Sequence, residues 1–269
     1  MSLPLTSSRA GRTVLAQAIE SDCSYFEMGA RVDQLDGATL AWMPGLTASP
    51  GAAVIHRVDP HVMAEGGVRW FARAEAAMTD VGAALSRIYL DDRYEPTDSL
   101  LRGAGYVARD ELIFIDALPE PSIGLTLGRV SSEADWARKL DFHLAAGETP
   151  DGHGNHILDW VELERRKCGA GMESFLAELD GAIVGAVGAI WCDRFVRTKN
   201  LIVAPQCRRQ GIARAMLGKI AELGRRRGLH EQCVLAVRGE QGELLYRALG
   251  MAMIGMQVEW SKPIPGAAQ

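Results

Sequence analysis

Long apolar runs are missing from this 269-residue chain. The longest, GAIVGAVGAIW from Gly181 to Trp191, falls well short of the ~20 residues a membrane-spanning helix needs, so no membrane partner is expected. The opening MSLPLTSSRAGR has no apolar segment behind its basic residues. It does not read as a secretory signal, and a cytoplasmic location is the expectation. Cysteine is sparse: Cys23, Cys168, Cys192, Cys207 and Cys233 lie far apart without a C-x-x-C pair, which argues against both a disulfide framework and a cysteine zinc site. Neither G-x-x-x-x-G-K-[ST] nor G-x-G-x-x-G behind a strand occurs, which leaves a nucleoside-triphosphate or dinucleotide fold unsupported. Lysine is absent from the first 122 residues, where 10 Arg face 17 acids; the remainder has 19 basic residues against 17 acids. The two parts carry −7 and +2. Neither is basic enough for a nucleic-acid partner, though the second is compatible with an anionic ligand.

What is present is a composition 48% hydrophobic, enough to bury a substantial core. The segment ALPEPSIG, Ala117 to Gly124, sets two prolines between strand-like runs and is the linker candidate. Domains over 1–122 and 123–269 follow from it. The first reads as a helix near residues 10–20, strands through YFEMGARV, ATLAWM and AAVIHRV, a helix from Val68 to Thr79, a strand LSRIYL, a helix TDSLLRGAG and a strand YVARDELIFI. The second reads as a strand at Thr126 to Val130, helices over Ala134 to Ala145 and Asp159 to Lys167, a hairpin turning at Asp180-Gly181, and a strand TKNLIV. A helix, the strand CVLAVR, the helix GELLYRALG and the strand AMIGMQVEW complete it. The class is mixed α/β. The two parts end alike, LLRGAGY against LLYRALGM, each a helix, a glycine stop and a strand, which points to two copies of one fold.

The stretch LIVAPQCRRQGIARAML, Leu201 to Leu217, passes from branched apolar residues through an arginine-rich turn into a helical pattern carried by Ile212, Met216, Ile220 and Leu223. A helix start near Gln210 and Gly211 presents unpartnered N–H groups and a positive dipole end to an anion. Gly211 allows close approach, Ala213 keeps the next position small, and Arg208, Arg209 and Arg214 add cationic donors. Together they suit a pyrophosphate. A surface arginine cluster at an ordinary helix start is the alternative reading.

Val203-x-Pro205-x-x-Arg208-Arg209-x-Gly211-Ile212-Ala213 resembles the acyl-CoA pyrophosphate loop of the GNAT superfamily of N-acyltransferases. Leu245-Tyr246-Arg247-Ala248-Leu249-Gly250-Met251 is similar to the family's L-Y-x-x-x-G-F ending. The likeness extends over Leu125 to Lys262. It implies an acetyl-CoA-dependent N-acyltransferase in the second domain, with Leu201, Ile202 and Val203 beside the pantetheine arm and Arg208, Arg209, Gln210, Gly211, Ile212, Ala213 and Arg214 around the pyrophosphate. Tyr246 would protonate the leaving thiolate, provided that an Arg or helix terminus lowers its pKa. The acceptor would be a small-molecule amine or a peptide. The strands before and after the loop helix lack the family's usual acid, so the general base stays open among Glu162, Glu164, Glu173, Glu178 and a water chain. The usual Asn is replaced by the neighbourhood Gly239, Glu240 and Gln241. The first domain has no equivalent loop and would be a degenerate copy walling the acceptor cleft. A non-catalytic acyl-CoA sensor is the competing expectation. The loop DGHGNH, with His153 and His156, is expected to shape the acceptor pocket rather than to hold a metal.

Overall fold

The computed structural model describes residues 13–117, 119–120, 124–149 and 156–265. In chain order the first part runs α1 (Val14–Glu27), β1 (Arg31–Leu35), β2 (Ala38–Trp42), β3 (Ala53–His56), α2 (Pro60–Asp80), β4 (Leu85–Leu90), α3 (Glu95–Gly103) and β5 (Val107–Ala117). The second runs β6 (Thr126–Arg129), α4 (Glu133–Ala146), α5 (Ile157–Gly169), β7 (Glu173–Leu179), β8 (Ala182–Trp191), β9 (Phe195–Val203), α6 (Ile212–Arg226), β10 (Glu231–Val237), α7 (Gln241–Ala248) and β11 (Ala252–Pro263). None of these helices is long and apolar enough to cross a membrane. The class is mixed α/β.

The strands form one sheet in the order β1-β2-β3-β4-β11-β5-β10-β9-β8-β7-β6. Its centre is an exchange. Strand β11, from the end of the chain, pairs antiparallel with β4 of the first part, and β5 of the first part pairs antiparallel with β10 of the second. The two exchanged strands also pair with each other. Each buries its apolar face in the other part's core. Val258 and Trp260 of β11 pack with Trp70, Phe71 and Ile88, while Leu112 and Phe114 of β5 pack with Leu217, Val234 and Tyr246. The segment 117–124 therefore separates two stretches of sequence whose strands share one continuous sheet.

Local chemistry accounts for most boundaries. Helix α4 begins in a full capping box between Ser132 and Asp135 and ends at Gly147 in the left-handed conformation, the arrangement that satisfies both helix ends. The β7–β8 hairpin turns at Asp180 and Gly181, both with positive φ, as a two-residue Asp-Gly turn requires. Two expectations fail. Tyr25, Phe26 and Glu27 finish α1 instead of opening a strand, because the helix runs uninterrupted to Met28 and the chain turns only at Gly29. Helix α2 starts at Pro60, eight residues before Val68, with Asp59 as its cap; the glycine pair that hides this start in the sequence makes a kink at Gly67.

Candidate active site

Strands β9 and β10 are parallel, but they pair only from Phe195↔Glu231 to Arg197↔Cys233. Beyond that point β9 continues to Val203 and β10 to Val237 without facing each other. The parting starts beside a bulge. The β8–β9 register shifts between Ala186 and Gly188, and Asn200 takes a φ of 54°, a conformation that costs most residues and that Asn tolerates best. Two strands that diverge no longer pair their main-chain groups with each other across the gap.

Leu201, Ile202 and Val203 lie on β9, leading to the turn. Leu201 faces the gap, whereas Ile202 and Val203 are buried in the cores on either side. Past a short 3-10 turn at Pro205–Cys207, Arg209 (φ 60°) and Gly211 (φ 80°) carry the chain into α6. Gly211 is the N-cap, and among the described residues no side chain satisfies the first-turn N–H groups of Ile212, Ala213 and Arg214. The corresponding start of α2 differs, for there the Asp59 carboxylate accepts from the N–H groups of His61 and Val62. Such a carboxylate fills the place an anion would take. Arg209 and Arg214 are exposed and have no ion-pair partner among the described residues. Arg208 is engaged: its Nε donates to the Val203 carbonyl at 3.1 Å and its guanidinium pairs with Glu148. The uncapped N–H groups, left-handed glycine and free cations fit a diphosphate. Gln210 donates to the Gln206 carbonyl at 3.1 Å and holds the turn.

The gap opens into a cavity of about 310 Å³. One wall is Thr198, Lys199, Asn200 and Leu201 of β9; the other is Leu235, Ala236 and Val237 of β10 with Tyr246 of α7. The first part closes it with Tyr25 and Phe26 of α1, Arg87 and Tyr89 of β4, and Arg109 and Glu111 of β5, together with Glu259 of β11. Cation by cation, these charges are matched. Arg197 and Lys199 hold Asp22 at 3.0 and 2.9 Å, Arg87 pairs with Glu259, and Arg109 pairs with Glu240 at 2.6 Å. Glu111 has no cationic partner among the described residues; its carboxylate accepts from Gln257 Nε2 at 2.7 Å and from the Tyr89 hydroxyl at 3.3 Å.

Tyr246 reaches this cleft, but its electrostatics run opposite to expectation. Burial pushes its phenol up to about 12, and the attraction of Arg197 does not reverse that. The base candidates read from the sequence are all committed elsewhere. Glu164 is buried against Lys139 at 2.6 Å, Glu173 pairs with Arg227, Glu178 with Arg138 and Glu162 with Arg166, and none lines the cleft. His153 lies outside the described residues, and His156 sits before α5, 3.9 Å from Asp159. Sequence reasoning missed Glu111, which lies outside the second part, and Glu259, which lies away from the loop and from the strands beside it. The available signal was weak: an acid at the head of the apolar run ELIFI and another inside QVEW.

Residues 170–250 match the family model described as the acetyltransferase (GNAT) domain. No curated protein matches the chain in sequence. Among solved structures, a conserved protein of unknown function from Staphylococcus epidermidis superposes with a TM-score of 0.68 at 10% identity, covering 88% of this chain and 95% of its own. A GCN5-related N-acetyltransferase from Kribbella flavida gives 0.61 at 14% identity over 94% and 97%. A tandem GNAT protein from the clavulanic acid biosynthesis pathway gives 0.55 at 13% identity over 84% and 78%. Over residues 170–250 the chain is thus similar to the GNAT acetyltransferase domain, and its overall fold is shared with these solved structures, the tandem GNAT protein among them.

Proposed function

We propose that the protein is an N-acyltransferase that takes an acetyl group from acetyl-CoA and delivers it to an amine in the cleft between β9 and β10. The observation that carries this reading is the start of α6 behind Gly211, which no side chain caps among the described residues, set at the end of a strand that has parted from its neighbour. First-turn N–H groups with Arg208, Arg209 and Arg214 hold the diphosphate, and the edge of β9 from Leu201 to Val203 that does not pair with β10 holds the pantetheine amides. Bound acetyl-CoA supplies the thioester carbonyl. A main-chain N–H of β9 near Val203 stabilises the oxygen as charge develops on it. Tyr246 returns a proton to the sulfur. With its phenol at about 12 and an ordinary thiol at ~8.5, that transfer is uphill by roughly 5 kcal/mol. The role therefore depends on a leaving sulfur whose own pKa is raised in the same desolvated gap. The first part serves as a degenerate copy of the fold, its own helix start closed by Asp59.

A non-catalytic acyl-CoA sensor is the second reading, favoured by the raised phenol. Thiol release from acetyl-CoA over a panel of small amines and an N-terminal peptide separates the two. Amine-dependent release supports transfer; saturable acetyl-CoA binding without release under any amine supports the sensor.

A further inference from the structure

We infer that Glu111, supplied by the first part of the chain, is the group that binds the acceptor's ammonium and takes its proton, which makes the catalytic cleft composite. This rests on the acyl-transfer reading above.

The argument starts from β5. Because this strand lies between β10 and β11, Glu111 stands opposite Val237 on one side and Gln257 on the other. Val237 and Tyr246 line the same cavity as Glu111, so the exchanged strand carries a carboxylate to the gap where the transfer is placed. Three acids meet around this point, and their partners differ. Asp22 on α1 is neutralised by Arg197 and Lys199 of β9, and Glu259 on β11 by Arg87 of β4. Glu111 receives neutral donors only. Gln257 spends its amide on two carboxylates, Asp22 at 2.9 Å and Glu111 at 2.7 Å. The Tyr89 hydroxyl has one hydrogen to give and lies closer to Glu259, 2.7 Å against 3.3 Å. One Glu111 oxygen is therefore left with a weak partner at a half-buried position on the cavity wall. A carboxylate so placed is stabilised by gaining either a cation or a proton.

The surrounding charges favour proton uptake. Burial raises the Glu111 carboxyl above the usual range, and Asp22 and Glu259 raise it further, while Lys199 and the Gln257 hydrogen bond act in the opposite direction. The remaining charged groups facing the cleft are Arg87, Arg109, Arg197 and Glu240, each already in an ion pair. A carboxylate raised above the usual range is a stronger base toward an arriving ammonium than an ordinary glutamate.

The step balances as follows. Glu111 takes one proton from the arriving ammonium, which frees the nitrogen lone pair. The N–C bond forms at the thioester carbon and the C–S bond breaks. A second nitrogen proton ends on the sulfur by way of Tyr246, and Glu111 releases its proton to solvent. The products are an amide and free thiol. The acceptor class that fits is a small primary amine, able to enter a cavity of about 310 Å³ as a cation.

The test compares wild type, Glu111→Gln and Glu111→Asp in the full chain. Thiol release is followed with acetyl-CoA and ethanolamine, putrescine or glycinamide as acceptor probes. Unchanged melting and unchanged acetyl-CoA affinity in calorimetry establish that each variant is folded. We expect Glu111→Gln to lose on the order of 10²–10⁴-fold in kcat/KM, to lose the acid limb of the wild-type pH profile, and to be partly rescued in Glu111→Asp. Infrared difference spectra of wild type against Glu111→Gln, taken without acetyl-CoA, should show a carboxylic-acid band that persists above the pH where ordinary glutamates ionise. Wild-type turnover undiminished in Glu111→Gln, or a band gone by the ordinary glutamate range, overturns this inference alone. No turnover by wild type with any probe overturns the acyl-transfer reading and takes this inference with it.

Discussion

Asp22 on α1 and Arg197 on β9, 175 residues apart in the chain, form an ion pair at 3.0 Å with both side chains 1% exposed. Lys199 adds a second cation at 2.9 Å. The pair ties the first helix to the strand that leads into the proposed cofactor turn. Asp22→Ala would leave the buried Arg197 and the partly buried Lys199 without their anion, a change that costs about 3–5 kcal/mol. Chemical denaturation should record a loss of that size; a loss below about 1 kcal/mol would mean that the pair contributes no more than a surface contact.

The same residue sets an acid limit to stability. Burial alone would raise the Asp22 carboxyl, but Arg197 and Lys199 outweigh it, so it ionises below the ordinary aspartate range. A carboxylate with a lowered folded pKa stabilises fully above its unfolded value near 3.9 and loses that contribution as the pH falls through the folded one. Wild type should therefore lose stability relative to Asp22→Asn as the pH drops below ~4. A difference that stays constant between neutral pH and that range would contradict the assignment.

Trp260 lies in the last strand, is fully buried, and packs with Trp70 and Phe71 of the first part. Trp260→Ala should destabilise the protein by about 3–5 kcal/mol, and both parts should melt together because their strands are exchanged. Two well-separated calorimetric transitions would contradict the shared core.

Much of this architecture could be read from residue order. The Asp180-Gly181 turn, the glycine after each repeated helix and the apolar spacing of Ile212, Met216 and Ile220 are local signals, and the structure places a hairpin, helix ends and α6 where they fall. The exchange of β5 and β11 was not legible, since ELIFI and QVEW read the same beside any neighbour and strand order is decided by long-range packing. For the same reason the cleft's first-part wall stayed hidden. Nothing local distinguishes Glu111 from Glu178 until the register sets one beside Gln257 and the other beside Arg138. The kinked start of α2 was masked by Gly66 and Gly67, which interrupt the helical pattern at the point where the chain bends.

Glu148 holds Arg208 through an ion pair about a third exposed. Such pairs are worth about 0.2–1 kcal/mol. If Arg208 must exchange Glu148 for the diphosphate, Glu148→Gln should tighten acetyl-CoA binding by up to roughly fivefold. Weaker binding in the variant would show that the pair positions Arg208 instead of competing for it.

Tyr246→Phe removes the proposed proton donor and keeps the ring against Phe114, 5.8 Å away between centroids. Turnover should fall by about 10²-fold or more with acetyl-CoA affinity nearly unchanged. Equal turnover would remove Tyr246 from the chemistry.

The most direct measurement of the central claim is a calorimetric titration of acetyl-CoA into wild type and Ala213→Asp. The substitution puts a carboxylate in the first turn of α6, where the helix dipole tolerates it, so melting should be unchanged. A carboxylate at ~4 Å from a phosphate charge costs about 4 kcal/mol at an effective dielectric of 20. Wild type should bind saturably with one site, and the variant should bind at least about tenfold more weakly. Equal affinity in both, or no binding to wild type, would contradict an acyl-CoA diphosphate held at Gly211, Ile212 and Ala213.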